Sequence, residues 1–243
     1  MFGNLLNLYN IMFSMVWYIL IILIVIVFFI TKKREGFESG IPKIIHQTAP
    51  ADKNKWPEVW FKCQISWKEK FPDFEYKMWT DDDLDSLIKN DFAYFYDIYK
   101  NYDVNIKRID IARYFILYKY GGIYADMDYI CFKNFYDLLP KDKVSISESP
   151  WRENEYLQNA LMISPKESPF WMKVIEKATI RFNENYNNGD VLDVTGPRLI
   201  SDTYQENKEL VNPLSDKLYN RPFETIGSDE VFATHYSTGS WFK

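Results

Sequence analysis

Two aspartates one residue apart, Asp126 and Asp128, close the stretch NIKRIDIARYFILYKYGGIYADMD that begins at Asn105. Carboxylate oxygens are the hard ligands that Mn2+ and Mg2+ take. A divalent cation held beside a phosphate neutralises the negative charge that builds when a sugar separates from a nucleoside diphosphate. In that chemistry Asp128 would ligate the metal directly, and Asp126 would bind the ribose or a metal-bound water. Upstream, Asp110 and Arg113 are three residues apart, so on a helix they project from one side and can pair their charges. Beside a sugar nucleotide, Arg113 could meet the diphosphate or sugar hydroxyls while Asp110 binds sugar hydroxyls. An ordinary structural ion pair would use the same spacing.

The elements that must position these groups can be read around them. Ile109, Ala112, Ile116 and Tyr120 recur at helical spacing, and Gly121 and Gly122 supply a stop and a tight turn. Ile123, Ala125 and Met127 then alternate with Tyr124, Asp126 and Asp128, which predicts a strand carrying both carboxylates on one face. Ile41 to Gln47 (IPKIIHQ) suits a buried first strand with His46 and Gln47 at its C-terminal end. Ligands gather beyond the carboxyl ends of strands in open α/β sheets, so these two side chains are candidates for nucleotide contact. A hydrogen-bonded structural histidine fits His46 equally well. Trp60 and Trp67 fall on one helical face and read as core, and Phe74 to Trp79 alternates like a strand. Thr80 followed by Asp81, Asp82 and Asp83 reads as a capped helix start whose acids complement the helix dipole, not as a metal site.

The chain has 243 residues, 47% hydrophobic, 18% aromatic and 26% charged, enough to bury one sizeable core. A net charge of -5 and a pI near 5.2 argue against a nucleic-acid partner, so a phosphate-bearing ligand needs a local device such as a metal ion. Cys63 and Cys131 have neither zinc-site nor disulfide-framework spacing and read as free thiols.

Residues 11–30, IMFSMVWYILIILIVIVFFI, carry no charge and are long enough to cross a bilayer as a helix. The expected organisation is a tail over 1–10, a transmembrane helix over 11–30, a linker over 31–40 and a catalytic domain over 41–243. Lys32, Lys33 and Arg34 follow the span. The positive-inside rule then places the domain in the cytosol.

Taken together, IPKIIHQT from Ile41, Ser66-Trp67, DIARYFILYKYGGIYADMD from Asp110, NALMIS from Asn159, TGP from Thr195 and HYSTGSW from His235 resemble the glycosyltransferase family with a DXD-containing sugar-binding region. That family includes fungal outer-chain-initiating and inositol phosphorylceramide mannosyltransferases, with clostridial glucosylating toxins as distant relatives. The resemblance implies an α/β GT-A fold and retaining transfer of a hexose, mannose favoured, from GDP-mannose or a UDP-hexose to a glycan or glycolipid, with Mn2+ or Mg2+. It implies Asp110, Arg113, Asp126 and Asp128 as the catalytic set and His235 as a third metal ligand. Tyr124, Asn159, Thr195, Gly196, Pro197, Ser240 and Trp241 take donor-side places, beside His46 and Gln47. Members often carry a second histidine and a tryptophan where this chain reads His235, Tyr236, Ser237, which leaves the metal role of His235 less defined than that of Asp128. Family habit places the domain in the Golgi or ER lumen, opposite to the charge rule. Two other readings use the same residues: a non-catalytic, membrane-tethered sugar-nucleotide-binding protein, and a DxD phosphatase. The latter lacks its expected hydroxyl residue two places after Asp128.

Overall fold

The computed structural model describes residues 40–151, 157–184, 189–222 and 230–239. The expected tail, transmembrane helix and, except for Gly40, the linker lie outside the described residues, as do Ser240 and Trp241; among the described residues no helix is long and apolar enough to cross a membrane.

A six-stranded mixed sheet forms the centre, in the order β2 (Glu75–Trp79), β1 (Ile44–Thr48), β3 (Gly122–Ala125), β6 (Leu157–Ser164), β5 (Val144–Glu148), β7 (Val211–Leu214). The first three strands are parallel to one another, β6 runs antiparallel to both its neighbours, and β7 is parallel to β5. A separate ribbon pairs β4 (Tyr129–Cys131) antiparallel with β8 (Ala233–His235).

Period-two alternation explains why the sheet is covered on both faces. Tyr124 and Met162 point into a core built with α2 (Asp81–Asp91), α3 (Ala93–Asn101), α4 (Asn105–Tyr120), α5 (Pro169–Asn183), α6 (Val191–Val194) and α7 (Pro197–Glu206). Ile123, Ala125, Leu161 and Ile163 point the other way, toward α1 (Glu58–Lys70), the β4–β8 ribbon and α8 (Asp216–Tyr219). All eight residues of β6 are buried, as its place between two strands and under both layers requires. Trp67 is fully buried and donates its indole N–H to the Tyr129 carbonyl at 2.7 Å, fixing α1 to the ribbon.

Thr80 forms the expected capping box with Asp83 at the start of α2, an interaction worth about 1 kcal/mol. Strand β1 begins three residues after the expected start. Helix α4 is buried almost all round: beyond Ala112 and Ile116 it buries Asp110, Ile111, Arg113, Tyr114, Phe115 and Leu117, while Ile109 and Tyr120 pack only partly against the core. An amphipathic pattern understates this helix because layers cover it on more than one side.

The strand expected to carry both aspartates ends at Ala125. Asp126, Met127 and Asp128 form a turn closed by the Tyr129 N–H on the Asp126 carbonyl at 2.9 Å, while the Asp126 N–H still bonds the Ala160 carbonyl of β6. The sheet therefore holds the first aspartate and the turn carries the second.

Gly121 and Gly122 join α4 to β3 with φ values of 64° and 91°, a region that strongly favours glycine. A Cβ at Gly121 would lie 2.7 Å from the Lys166 nitrogen and the Pro42 ring, and one at Gly122 would lie 2.5 Å from the Ile44 carbonyl oxygen. Gly121→Ala and Gly122→Ala are each expected to cost about 1–3 kcal/mol, read by urea denaturation. Unchanged midpoints would show that the turn relaxes freely.

Candidate functional site

Strands β1, β2 and β3 end together, with Thr48 opposite Trp79 and His46 opposite Tyr124. A cavity of about 990 Å3 opens beyond those ends, where an open α/β sheet receives ligands. Its walls include Thr48 and Ala49 at the end of β1, Asp110 and Arg113 from α4, Asp126 to Asp128, Asn159 from β6, and His235 with Thr238 from the C-terminal segment.

Arg113, 4% exposed, is shared by two carboxylates. Nη2 meets Asp110 Oδ1 at 2.9 Å, and Nη1 meets Asp126 Oδ1 at 3.2 Å and donates to the Asn159 carbonyl at 2.9 Å. Its guanidinium carbon lies 4.8 Å from the centre of the Tyr124 ring, whose hydroxyl donates to Asp126 Oδ1 at 2.8 Å and bonds Thr48 Oγ1 at 2.9 Å. Burial opposes the charge on Arg113, but Asp126, Tyr124 and Asp110 outweigh it and hold the guanidinium above its ordinary range. Burial pushes the Asp110 carboxyl up to about 7, against the opposing pull of Arg113. Desolvation also raises Asp126, with Arg113 opposing and the Asp128 charge adding to it.

Asp128 is held differently. Its Oδ1 lies 2.8 Å from His235 Nε2, and its Oδ2 accepts from the Thr238 N–H at 2.9 Å and the Thr238 hydroxyl at 2.7 Å. Burial alone would raise this carboxyl, but His235 and Thr238 outweigh it and hold it well below the usual carboxylate range. Burial disfavours the charged imidazole of His235, yet Asp128 and then Asp126 raise it above its ordinary value. The ribbon makes this possible: Tyr129 pairs with His235, the two rings stack 5.2 Å apart, and the Tyr236 N–H bonds the Asp128 carbonyl at 2.9 Å. Ser237 and Gly239, both with positive φ, turn the chain so that Thr238 reaches back.

Asp126, Asp128 and His235 each offer a ligand atom, and these atoms lie within 4.8 Å of one another. The two carboxylate oxygens suit Mn2+ or Mg2+, and the imidazole nitrogen is a ligand that a transition ion such as Mn2+ accepts more readily than Mg2+. To ligate through Nε2, His235 would have to give up the proton it shares with Asp128; Ser237 Oγ, 3.4 Å from Nδ1, stands ready as a partner for the other tautomer.

The remaining predicted residues divide by position. Asn159 and Pro197 line the cavity. Thr195 is buried behind it and donates its hydroxyl to Asp110 Oδ2 at 3.4 Å, and Gly196 packs where a Cβ would lie 2.9 Å from Leu192 Cα. Tyr124 also stands behind the wall, aimed at Asp126. His46 does not reach the cavity. The Trp79 indole N–H must donate, so Nδ1 accepts from it at 3.1 Å and Nε2–H donates to the Gly121 carbonyl at 3.0 Å. Burial holds the ring neutral, its pKa pushed down to about 3, and no polar atom is left for a nucleotide. Gln47 is likewise occupied, donating to the Asp126 carbonyl at 3.1 Å and accepting from the Tyr76 hydroxyl. Both brace the turns of the site from behind. Thr238 was not foreseen; its role depends on a contact across 110 residues that no local pattern announces. Tyr114 was also missed, although its place four residues after Asp110 put it on the right helix face.

Residues 57–145 match the family described as glycosyltransferase sugar-binding region containing DXD motif. Over 164 residues the chain is 38% identical to inositol phosphoceramide mannosyltransferase 3 of Schizosaccharomyces pombe, covering 67% of this chain and 44% of that protein. Over 207 residues it is 32% identical to a mannosyl phosphorylinositol ceramide synthase of Saccharomyces cerevisiae, covering 80% and 53%. The chain spans about half the length of these curated relatives. Among solved structures, the PaToxG glycosyltransferase superposes with a TM-score of 0.57 at 20% identity, over 69% of this chain and 70% of that one, which shows a shared GT-A-type fold. Residues 57–145 thus carry the glycosyltransferase sugar-binding region that contains a DXD motif, and the chain is similar to mannosyltransferases on either side of it.

Proposed function

We propose that this chain is a divalent-metal-dependent hexosyltransferase that takes a sugar, mannose favoured, from a nucleotide sugar and places it on a glycolipid or glycan with retention of configuration. The observation that carries this reading is the meeting of Asp126, Asp128 and His235 beside a buried Asp110–Arg113 pair in one cavity. Mannose and inositol phosphoceramide appear in the name of the S. pombe relative, which supports that sugar and an acidic glycolipid acceptor. A membrane anchor over residues 11–30 would keep the domain near such an acceptor.

The three ligand residues would hold Mn2+ or Mg2+, and the bound ion would neutralise the diphosphate as the sugar leaves. Asp128 is the direct ligand in this reading, because its neighbours are a histidine and Thr238 and none of them is a fixed cation. Asp126 already shares Oδ1 with Arg113 and Tyr124, which leaves Oδ2 for the metal or the ribose. Asp110 and Asn159 face the cavity next to that turn and would take sugar hydroxyls. Arg113 keeps a positive charge beside the place where the leaving diphosphate gathers charge, and its fork bridges Asp110 and Asp126.

Asp128→Ala is expected to lower kcat for donor turnover by about 10²–10³-fold and to abolish Mn2+ binding by calorimetry. Wild-type metal affinity in that variant would remove Asp128 from the site. Sugar-nucleotide binding without turnover under any acceptor, or phosphate release from a phosphomonoester, would overturn the transferase reading.

Asp110 adds a pH dependence. Its carboxyl, raised to about 7, is protonated below that pH and cannot then accept from a sugar hydroxyl as an anion. Donor affinity is therefore expected to rise as pH climbs through about 7. The same raised value means that the folded chain holds a proton the unfolded chain has released, so folding becomes less favourable as pH rises from 3.8 toward that value. An Asp110→Asn variant should lose the inflection in donor binding; an inflection that survives the change assigns it to another group.

A further inference from the structure

We propose that Tyr114 is a positioning residue that fixes the amide of Asn159 with its carbonyl oxygen free for a donor-sugar hydroxyl, and ties the Thr195–Pro197 loop to the same atom. This rests on the reading of the cavity as a nucleotide-sugar site.

Tyr114 is fully buried in the middle of α4, and its ring stacks on Trp171 at 5.7 Å with planes 8° apart. Both sides of its hydroxyl are used. The O–H donates to the Thr195 carbonyl at 2.6 Å, so toward Asn159 the oxygen can only accept. It accepts from Asn159 Nδ2 at 3.1 Å. The other Nδ2 hydrogen goes to Asp110 Oδ1 at 3.2 Å. A carboxylate and an acceptor hydroxyl together admit one amide orientation, with the nitrogen toward α4. A flipped amide would set its oxygen against two acceptors. Asn159 lines the cavity, and Oδ1 is the polar atom left to face a ligand.

One hydroxyl thereby joins three parts of the site that are far apart in sequence: α4, β6 and the loop that leads into α7. Asp110 receives the Thr195 hydroxyl on its second oxygen, so the loop is held by a carbonyl and a hydroxyl of the same residue. Pro197, two residues on and the first residue of α7, stands on the cavity wall. With Phe at 114 the ring and its stack on Trp171 remain, but the Thr195 carbonyl loses its donor and the Asn159 amide loses the partner that forbids the flip.

The test is a double-mutant cycle of Tyr114→Phe, Asn159→Ala and the pair, read as donor affinity by calorimetry with Mn2+ and as kcat/KM for donor turnover. Melting temperatures and near-ultraviolet circular dichroism serve as folding controls. Tyr114→Phe should lower kcat/KM by about tenfold, the scale of one buried hydrogen bond to a group that must stay oriented. The loss in the pair should fall short of the product of the two single losses, because Tyr114 acts in part through that amide and in part through the Thr195 carbonyl. Losses that multiply, or a Tyr114→Phe variant that binds and turns over donor like the wild type, would overturn the proposal. Failure of the wild-type chain to bind any sugar nucleotide would instead overturn the reading of the cavity, and the proposal with it.

Discussion

The structure of the site depends on one buried guanidinium that serves two carboxylates. Taking ions out of water costs several kcal/mol each even after the protein relaxes, and replacing such a group by apolar side chains is often neutral or stabilising. Arg113 and Asp110 are nevertheless nearly sealed in a helix that is otherwise apolar through its middle. Stability alone does not explain that placement. A fork that binds Asp110 with one arm and Asp126 with the other gives an orientation that no hydrophobic contact supplies, and it offsets the repulsion between a carboxylate on α4 and one at the turn after β3.

Much of the surrounding fold bears on that fork. Gly121 and Gly122 let α4 turn tightly into β3, so that Arg113 and Asp126, thirteen residues apart, face each other across the layer between helix and sheet. Asp126 is held by the Ala160 carbonyl through its N–H, by Gln47 on its own carbonyl and by Tyr124 on its side chain. Asp128 takes its geometry from the other layer, through the β4–β8 ribbon and the return of Thr238. The two aspartates thus have opposite environments. One is shared with a permanent cation and the other with a histidine whose proton a metal can replace, and that difference underlies their separate roles.

The local part of this arrangement was legible in the sequence. Helical spacing gave α4, the glycine pair gave the turn, and three-residue spacing gave the Asp110–Arg113 pair. Thr80 and Asp83 announced their own cap. Strand periodicity failed at Asp126 for a physical reason: alternation reports which side chains face one way, but after Ala125 only the Asp126 N–H still bonds β6, and a four-residue turn can bring the same two carboxylates together. His46 shows the converse limit. Its place at the end of a parallel strand suggested a ligand contact, while its actual partners, Trp79 and Gly121, lie 33 and 75 residues away and could not be inferred from its neighbours. Thr238 and the Tyr114 hydroxyl were out of reach for the same cause, since a hydrogen bond between distant segments leaves no periodic trace.

If the guanidinium fork is what orders the aspartate turn, then charge without the fork should not suffice. The direct measurement is Mn2+ affinity by calorimetry in an Arg113→Lys variant, with folding followed by circular dichroism. Lysine keeps the positive charge but cannot bridge Asp110 and Asp126 with two fixed arms. The account predicts a folded chain whose Mn2+ affinity falls by about tenfold or more, the scale of losing a partner that orients a metal ligand. A folded variant that binds Mn2+ as the wild type does would contradict it.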